Sequence, residues 1–216
     1  MKVCHFSDTH GNLFTLDRPD DVDVFVCSGD FFPNSEYFTD EAQTRYQRDW
    51  FRNHKSKDTF GYTPREYMRE FFAGKPVLWV PGNHDWIDLS EEMPRDNIYL
   101  VDEYNPKTIL GKKFAGFRHI PYIAGYWKGE IQENDFEPII KRTFDSNPDI
   151  LVTHTPPANI LSGRYGSQAL LSAMMYRDHN IKLHLFGHIH EFGGKSSYNN
   201  GVRYCNSATT CVTIEI

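Results

Sequence analysis

Short apolar runs, each closed by glycine or small polar residues, set the pattern of the chain. Runs rich in Val, Ile, Phe and Leu occupy residues 3–6, 22–27, 76–80, 150–153 and 181–186, with the length and β-branched or aromatic content of largely buried strands. Between several of them the period changes. Over 38–54, Ala42, Tyr46 and Trp50 recur every four positions, which is the repeat of one helix face. Ile131, Phe136, Ile140 and Phe144 predict a second, less regular amphipathic helix, and residues 166–177 predict a third. Near the end, Asn200-Gly201 stands between 193–198 and 202–205. Asn-Gly tolerates the positive φ angles of a two-residue hairpin turn, so the C-terminal part is expected to be antiparallel. Strands joined by helices, with an antiparallel finish, predict an α/β core. No repeat of 20–50 residues and no linker-like stretch interrupts the pattern. With 216 residues, one domain over 1–216 is the simplest organisation.

The residues that follow the strands carry the chemistry. The five runs are followed by Ser7-Asp8-Thr9-His10-Gly11-Asn12, Ser28-Gly29-Asp30, Pro81-Gly82-Asn83-His84-Asp85, His154-Thr155-Pro156-Pro157 and Gly187-His188-Ile189-His190. In open α/β sheets the carboxyl ends of the strands line one crevice, so these side chains are expected to converge. Imidazoles, carboxylates and one amide make a donor set suited to Mn²⁺, Fe, Zn²⁺, Co²⁺ or Ni²⁺ rather than to Cu(I) or iron–sulfur clusters. Seven candidate ligands exceed one tetrahedral ion and suit two ions about 3.5–4 Å apart sharing a carboxylate. Such a centre keeps positive charge and attracts phosphate even in an acidic protein.

These blocks resemble the calcineurin-like metallophosphoesterases, whose pattern is D-x-H, G-D, G-N-H-D/E, a lone H and G-H-x-H; all five occur in order from Asp8 to His190. The resemblance implies a four-layer α/β/β/α sandwich of two mixed β-sheets flanked by helices. It implies that Asp8, His10, Asp30 and His190 hold one metal, that Asp30, Asn83, His154 and His188 hold the other, and that Asp30 bridges. The segments 151–157 and 185–194 look like the branch containing class III cyclic-nucleotide phosphodiesterases and metallophosphoesterase-domain proteins. The protein-serine/threonine phosphatases of the same superfamily continue G-D with x-x-D-R-G, whereas this chain reads Gly29-Asp30-Phe31-Phe32-Pro33-Asn34-Ser35. The missing arginine favours phosphodiesters over phosphoproteins.

The mechanism expected from this resemblance is attack on phosphorus by a metal-bridging hydroxide, with a proton donor at the leaving oxygen. His84 is the candidate donor, and Asp85 is expected to accept a hydrogen bond from its imidazole and keep it protonated. Asn83, Tyr126, Trp127 and Arg164 are candidates for substrate contact. Tyr122, Tyr126 and Trp127 are expected to form either a packed loop or a lid on which a nucleobase stacks. Arg118 is a further candidate phosphate contact. His5 and His184 fall inside strands and are expected in the core; His54, His119 and His179 are expected at the surface.

Composition narrows the function. A net charge of −6 from 23 basic and 29 acidic residues disfavours a duplex nucleic-acid partner. No apolar run approaches the ~20 residues of a spanning helix, and the N-terminus lacks a signal-type apolar region. Four cysteines without a C-x-x-C pair suit buried thiols in a reducing, cytoplasmic setting. Serine-hydrolase and dinucleotide fingerprints do not occur. The expectation is therefore a two-metal phosphohydrolase, with Mn²⁺ first among the ions, acting on a small nucleotide-like or organic phosphodiester. A phosphomonoesterase, a nuclease and a catalytically silent scaffold are the alternatives, and oligomeric state is left open.

Overall fold

In the computed structural model, residues 1–13, 16 and 18–216 are described. One sheet holds β1 (Lys2–Phe6), β2 (Val24–Cys27), β3 (Val77–Trp79) and β4 (Ile98–Leu100), all parallel, with β13 (Cys211–Glu215) antiparallel against β1, in the order β13-β1-β2-β3-β4. The other holds β5 (Lys107–Ile109), β6 (Lys112–Phe117), β9 (Ile150–Thr153), β10 (Leu183–Phe186), β11 (Ser196–Asn199) and β12 (Val202–Asn206), in the order β11-β12-β10-β9-β6-β5. Its four central strands are parallel and its two edges antiparallel. A two-stranded ribbon, β7 (Ile120–Pro121) with β8 (Glu130–Ile131), frames the 122–129 loop. The helices are α1 (Asp40–Asn53), α2 (Pro64–Phe72), α3 (Leu89–Glu92), α4 (Phe136–Asp145) and α5 (Gln168–Tyr176).

Two-residue alternation along the strands sorts the core into layers. Val3, Val24, Val26, Leu78 and Val80 of the first sheet meet Phe114, Ile150, Val152, Leu183 and Leu185 of the second. Cys4, Phe6, Phe25, Cys27, Val77 and Trp79 face the other way and pack on Phe51 of α1 and Met68, Phe71 and Phe72 of α2. Phe117, Leu151, Phe186 and Tyr204 likewise cover Phe136, Ile140, Phe144, Leu170 and Met174 of α4 and α5. The result is the α/β/β/α sandwich that the resemblance implies.

The hairpin forms at Asn200-Gly201, with φ of 47° and 75° and Asn199 opposite Val202, so the turn has the backbone that the dipeptide favours. Other expectations shift. Ile131 lies in β8 and α4 begins only at Phe136, after a 3-10 turn over Glu133–Asp135. The run 193–198 is strand only from Ser196. His119 and His179, expected at the surface, are half-buried. Among the described residues no helix is long and apolar enough to cross a membrane. All four cysteines are free thiols.

Candidate metal centre

Each cluster residue sits where a strand stops, and the backbone there is bent to present it. Asp8, His10, Asp30 and His188 all have positive φ, of 55°, 46°, 53° and 68°. Asp and His are among the side chains that tolerate this left-handed backbone, and here it turns each strand end sharply at a ligand position. Two glycines make room. A Cβ on Gly82 would lie 2.1 Å from Asp30 Oδ1, and one on Gly187 would lie 2.1 Å from Asp8 Oδ2.

Three overlapping groups result, Asp8/His10/His190, His10/Asp30/His84 and Asp30/His154/His188, each with donor atoms within 4.8 Å of one another. His190 Nε2 is 3.2 Å from Asp8 Oδ1 and 3.4 Å from His10 Nε2. His154 Nε2 is 3.3 Å from Asp30 Oδ2 and 2.8 Å from Asn83 Oδ1. Donors bound at about 2.1 Å to one ion stand about 3.0–3.4 Å apart, and most of these spacings match that requirement. The donor chemistry fits a divalent cation as well, since two facing imidazole nitrogens repel unless a proton or metal lies between them. Asp8, Asp30, Asn83 and His154 are buried, His10 and His188 half-buried and His190 exposed, so the cluster opens to solvent at His190.

The two carboxylates are arranged alike. Asp8 Oδ2 accepts the backbone N–H of His188 at 2.9 Å and Asp30 Oδ1 that of His84 at 2.7 Å. Asp8 Oδ1 and Asp30 Oδ2 then face the imidazoles. His154 Nδ1 donates to the Ser28 carbonyl at 2.8 Å, which leaves Nε2 as the nitrogen turned to the cluster. Ser28 Oγ is in turn 2.8 Å from His5 Nε2, and His5 Nδ1 is 2.7 Å from Ser207 Oγ, all buried.

Electrostatics follow from burial and proximity. Burial alone would raise the Asp30 carboxyl, but His154, His84 and His10 outweigh it and hold Asp30 far below the usual carboxylate range. Asp8 is also lowered, because the His190 hydrogen bond and the His154 charge outweigh its burial. Burial would lower His154, yet Asp30 pushes it up to about 9. Burial, helped by the charge of His154, brings His188 down to about 4, so it remains a neutral lone-pair donor. Without a cation, the proton on His154 balances Asp30; a divalent ion held there would take the place of that proton.

Asp85 does not do what its position beside His84 suggests. Its buried carboxylate accepts the backbone N–H groups of Asp30, Phe31, Phe32 and Gly82 at 2.7, 2.9, 3.1 and 2.7 Å, tying two strand-end loops together. Burial and then the Asp30 charge push it up to about 6. The partner of His84 is Asn34, whose Nδ2 lies 2.5 Å from His84 Nδ1. Burial lowers the His84 imidazole rather than holding it protonated, although Asp30 opposes this. Its Nε2 is 3.9 Å from Asp30 Oδ2.

Residues 1–192 match the sequence profile of the calcineurin-like phosphoesterases. The chain belongs to that family. Its relatives include the 3′,5′-cyclic adenosine monophosphate phosphodiesterase CpdA of Haemophilus influenzae, 24% identical over 89% of this chain and 62% of that protein. A UPF0046 protein of Caenorhabditis elegans is 27% identical over 96% of this chain and 69% of that one. The chain thus spans about two thirds of the length of these relatives. TT1561 of Thermus thermophilus shares the fold, with a TM-score of 0.62 and 17% identity over 98% of this chain and 97% of the other.

The family's five motif blocks are therefore brought to one place; of the expected substrate contacts, Asn83 lies within the cluster and Trp127 beside it, whereas Tyr126 and Arg164 do not join it. Tyr126 is exposed on the 122–129 loop. Trp127 is half-buried, with its ring centroid 4.2 Å from that of His84, so it packs on a site residue rather than offering a free platform. Arg164 is exposed, donates to the Tyr165 hydroxyl and lies over that ring. Among the described residues no hydrogen bond or ion pair joins it to the cluster. Arg118 donates to the carbonyls of Gly82 and Asp85 and so supports the loop rather than reaching for phosphate.

The sequence reading passed over four residues. Asn34 has no motif signal beyond standing where related phosphatases carry arginine. Gln43 and Gln47, fully buried on α1, bind the 33–37 segment and the backbone of His84 and Trp86. Glu130 accepts four backbone N–H groups of the 122–129 loop. The buried face of α1 is Gln43, Gln47 and Phe51, one position on from the expected row Ala42, Tyr46 and Trp50, of which Tyr46 is exposed and the other two half-buried.

Proposed function

We propose that the chain is a two-metal-dependent phosphohydrolase that cleaves small nucleotide-like or organic phosphodiesters. One observation carries the reading. The free oxygen of Asp30 faces donors on two sides, with His154 Nε2 at 3.3 Å and His10 Nε2 at 3.9 Å, as a carboxylate shared by two ions requires. Asp8, His10, Asp30 and His190 would hold one ion and Asp30, Asn83, His154 and His188 the other. Mn²⁺ is the first choice, with Fe, Zn²⁺, Co²⁺ or Ni²⁺ also suited to the donors. When bound, such ions lower the pKa of coordinated water and polarise phosphoryl oxygens.

The residues of the chain then divide the remaining work. His84, with Nε2 turned to Asp30, takes up a proton from solvent before each turnover and, as imidazolium, gives it to the leaving oxygen. The strand-end loops, stapled by Asp85, fix the ligands before substrate arrives, which lowers the cost of organising them. Preference for a diester rests on charge. A monoester dianion asks for more fixed positive charge than a diester monoanion, and here Asn34 stands in the arginine position while Arg118 is engaged by carbonyls. The cyclic-nucleotide activity in the name of the Haemophilus relative is in keeping with this class. Free thiols on Cys4, Cys27, Cys205 and Cys211 suit work in a reducing compartment such as the cytoplasm.

Turnover of bis-aryl and mono-aryl phosphates, linear diesters and 2′,3′- and 3′,5′-cyclic nucleotides by metal-loaded protein tests the reading. Faster diester hydrolysis that chelation abolishes is expected. Preference for monoesters would overturn the substrate class, and no hydrolysis with any of the five metals would favour a silent scaffold.

A further inference from the structure

The geometry points to Trp127 and Asn34 as positioning residues for His84, and to the 122–130 loop as a pre-built brace that sets the ring from outside the motif. This rests on the reading of His84 as proton donor. Two aromatic side chains and one amide surround the imidazole. Trp127 lies at 4.2 Å between centroids with planes 34° apart, His10 meets it edge-on at 4.8 Å and 87°, and Asn34 Nδ2 is 2.5 Å from Nδ1. The backbone of His84 is pinned as well, its N–H by Asp30 Oδ1 and its carbonyl by Gln47 Nε2 at 2.6 Å. The Asn34 amide holds Nδ1 and leaves Nε2 as the nitrogen turned to the centre, 3.9 Å from Asp30 Oδ2.

The contacts that place Trp127 come from elsewhere in the chain. Glu130 Oε2 accepts the N–H groups of Ile123, Ala124 and Gly125, and its Oε1 accepts that of Trp127 at 2.9 Å. One carboxylate thereby shapes the whole loop. Lys128 N–H donates to the Asn83 carbonyl at 3.1 Å, and its ammonium pairs with Asp40 at the start of α1. Asp40 also accepts Trp86 Nε1 at 3.1 Å. Phe38 packs edge-on against Trp127 at 5.4 Å. Asn34 is placed by α1 through Gln47, which binds the Pro33 carbonyl, and Gln43, which binds Ser35. A ring that serves only as filler needs neither a directed contact at Nδ1 nor such a latch. Proton transfer in the transition state does need them, because it is lost with small misplacement.

Leaving-group dependence provides the test, using metal-loaded protein and two phosphodiesters, one releasing an acidic nitrophenol and the other an alcohol of far higher pKa. His84→Ala should spare the first and slow the second by about 10²–10⁴-fold. Trp127→Ala and Asn34→Ala should each slow the alcohol ester about ten-fold or more while changing the nitrophenyl ester less than about two-fold. Trp127→Phe should recover most of the loss. In a His84→Ala background either change should add almost nothing, since residues acting through one group are not additive. Equal loss on both esters, or losses that multiply with His84→Ala, would overturn the positioning role and make Trp127 a substrate contact. An Asn34→Ala variant as fast as the parent on the alcohol ester would overturn the part given to Asn34. A His84→Ala variant slowed equally on both esters would instead remove the proton donor itself.

Discussion

Asp30 and Asp85 are joined through backbone and side chain, the Asp30 N–H donating to Asp85 Oδ2 at 2.7 Å inside the protein. Gly82 donates to the same oxygen at 2.7 Å, so one carboxylate spans the loops after β2 and β3. Asp85→Ala leaves buried donors without partners, each costing about 1–3 kcal/mol when unsatisfied. Stability in urea is expected to fall by about 3 kcal/mol or more, and metal affinity to fall with it. Unchanged stability would contradict its role in tying the two loops together.

Gly82→Ala and Gly187→Ala should damage the centre more than the fold, because the added methyl collides with Asp30 or Asp8. Overpacking costs about 1–3 kcal/mol, while displaced carboxylates should weaken metal binding at least about ten-fold. Gly61→Ala is the control. It has a φ of 80° but no neighbour within 4 Å, so it should lose only the backbone strain, about 1 kcal/mol, and keep its metal. Calorimetric titration with Mn²⁺ separates the three.

Two buried histidines outside the cluster predict acid sensitivity. Burial, partly opposed by Asp8, holds His5 at about 3, and burial with the charges of His5 and His179 brings His184 to about 3. The folded values lie below the ordinary value of about 6.5, so the unfolded chain takes up protons first as pH falls. The stability present above about pH 6.5 is therefore lost progressively between 6.5 and 3, at about 1.4 kcal/mol per pH unit per histidine. His184→Gln should reduce the stability difference between pH 7 and pH 5 by about 2 kcal/mol in metal-free protein. An identical pH dependence in parent and variant would contradict the assignment.

What the chain reveals by inspection depends on how local the cause is. The Asn200-Gly201 turn and the strand-end blocks are legible because dipeptide conformation and donor chemistry are written within a few residues. The start of α2 was also available locally, since Thr63 and Glu66 cap each other and Pro64 occupies the first turn, but a composition of Arg, Glu, Tyr and Phe hides its period. Strand β6, Lys112–Phe117, contains two lysines and a glycine and is defined by its pairing with β9. Adjacency of Asp85 to His84 suggests a pair, yet the carboxylate turns to the backbone N–H groups of Asp30, Phe31, Phe32 and Gly82. Asn34, Gln47 and Glu130 act across 50, 37 and up to 7 positions. Only folding brings the first two to the site, and sequence order alone does not mark what the third encloses.

Metal stoichiometry with an anomalous-scattering map of Mn²⁺-loaded crystals tests the shared role of Asp30 most directly. Two ions per chain are predicted, one beside Asp8, His10 and His190 and one beside Asn83, His154 and His188, with Asp30 Oδ2 touching both and Asp30→Ala losing both peaks. A single ion, or two ions neither of which contacts Asp30, would contradict the account.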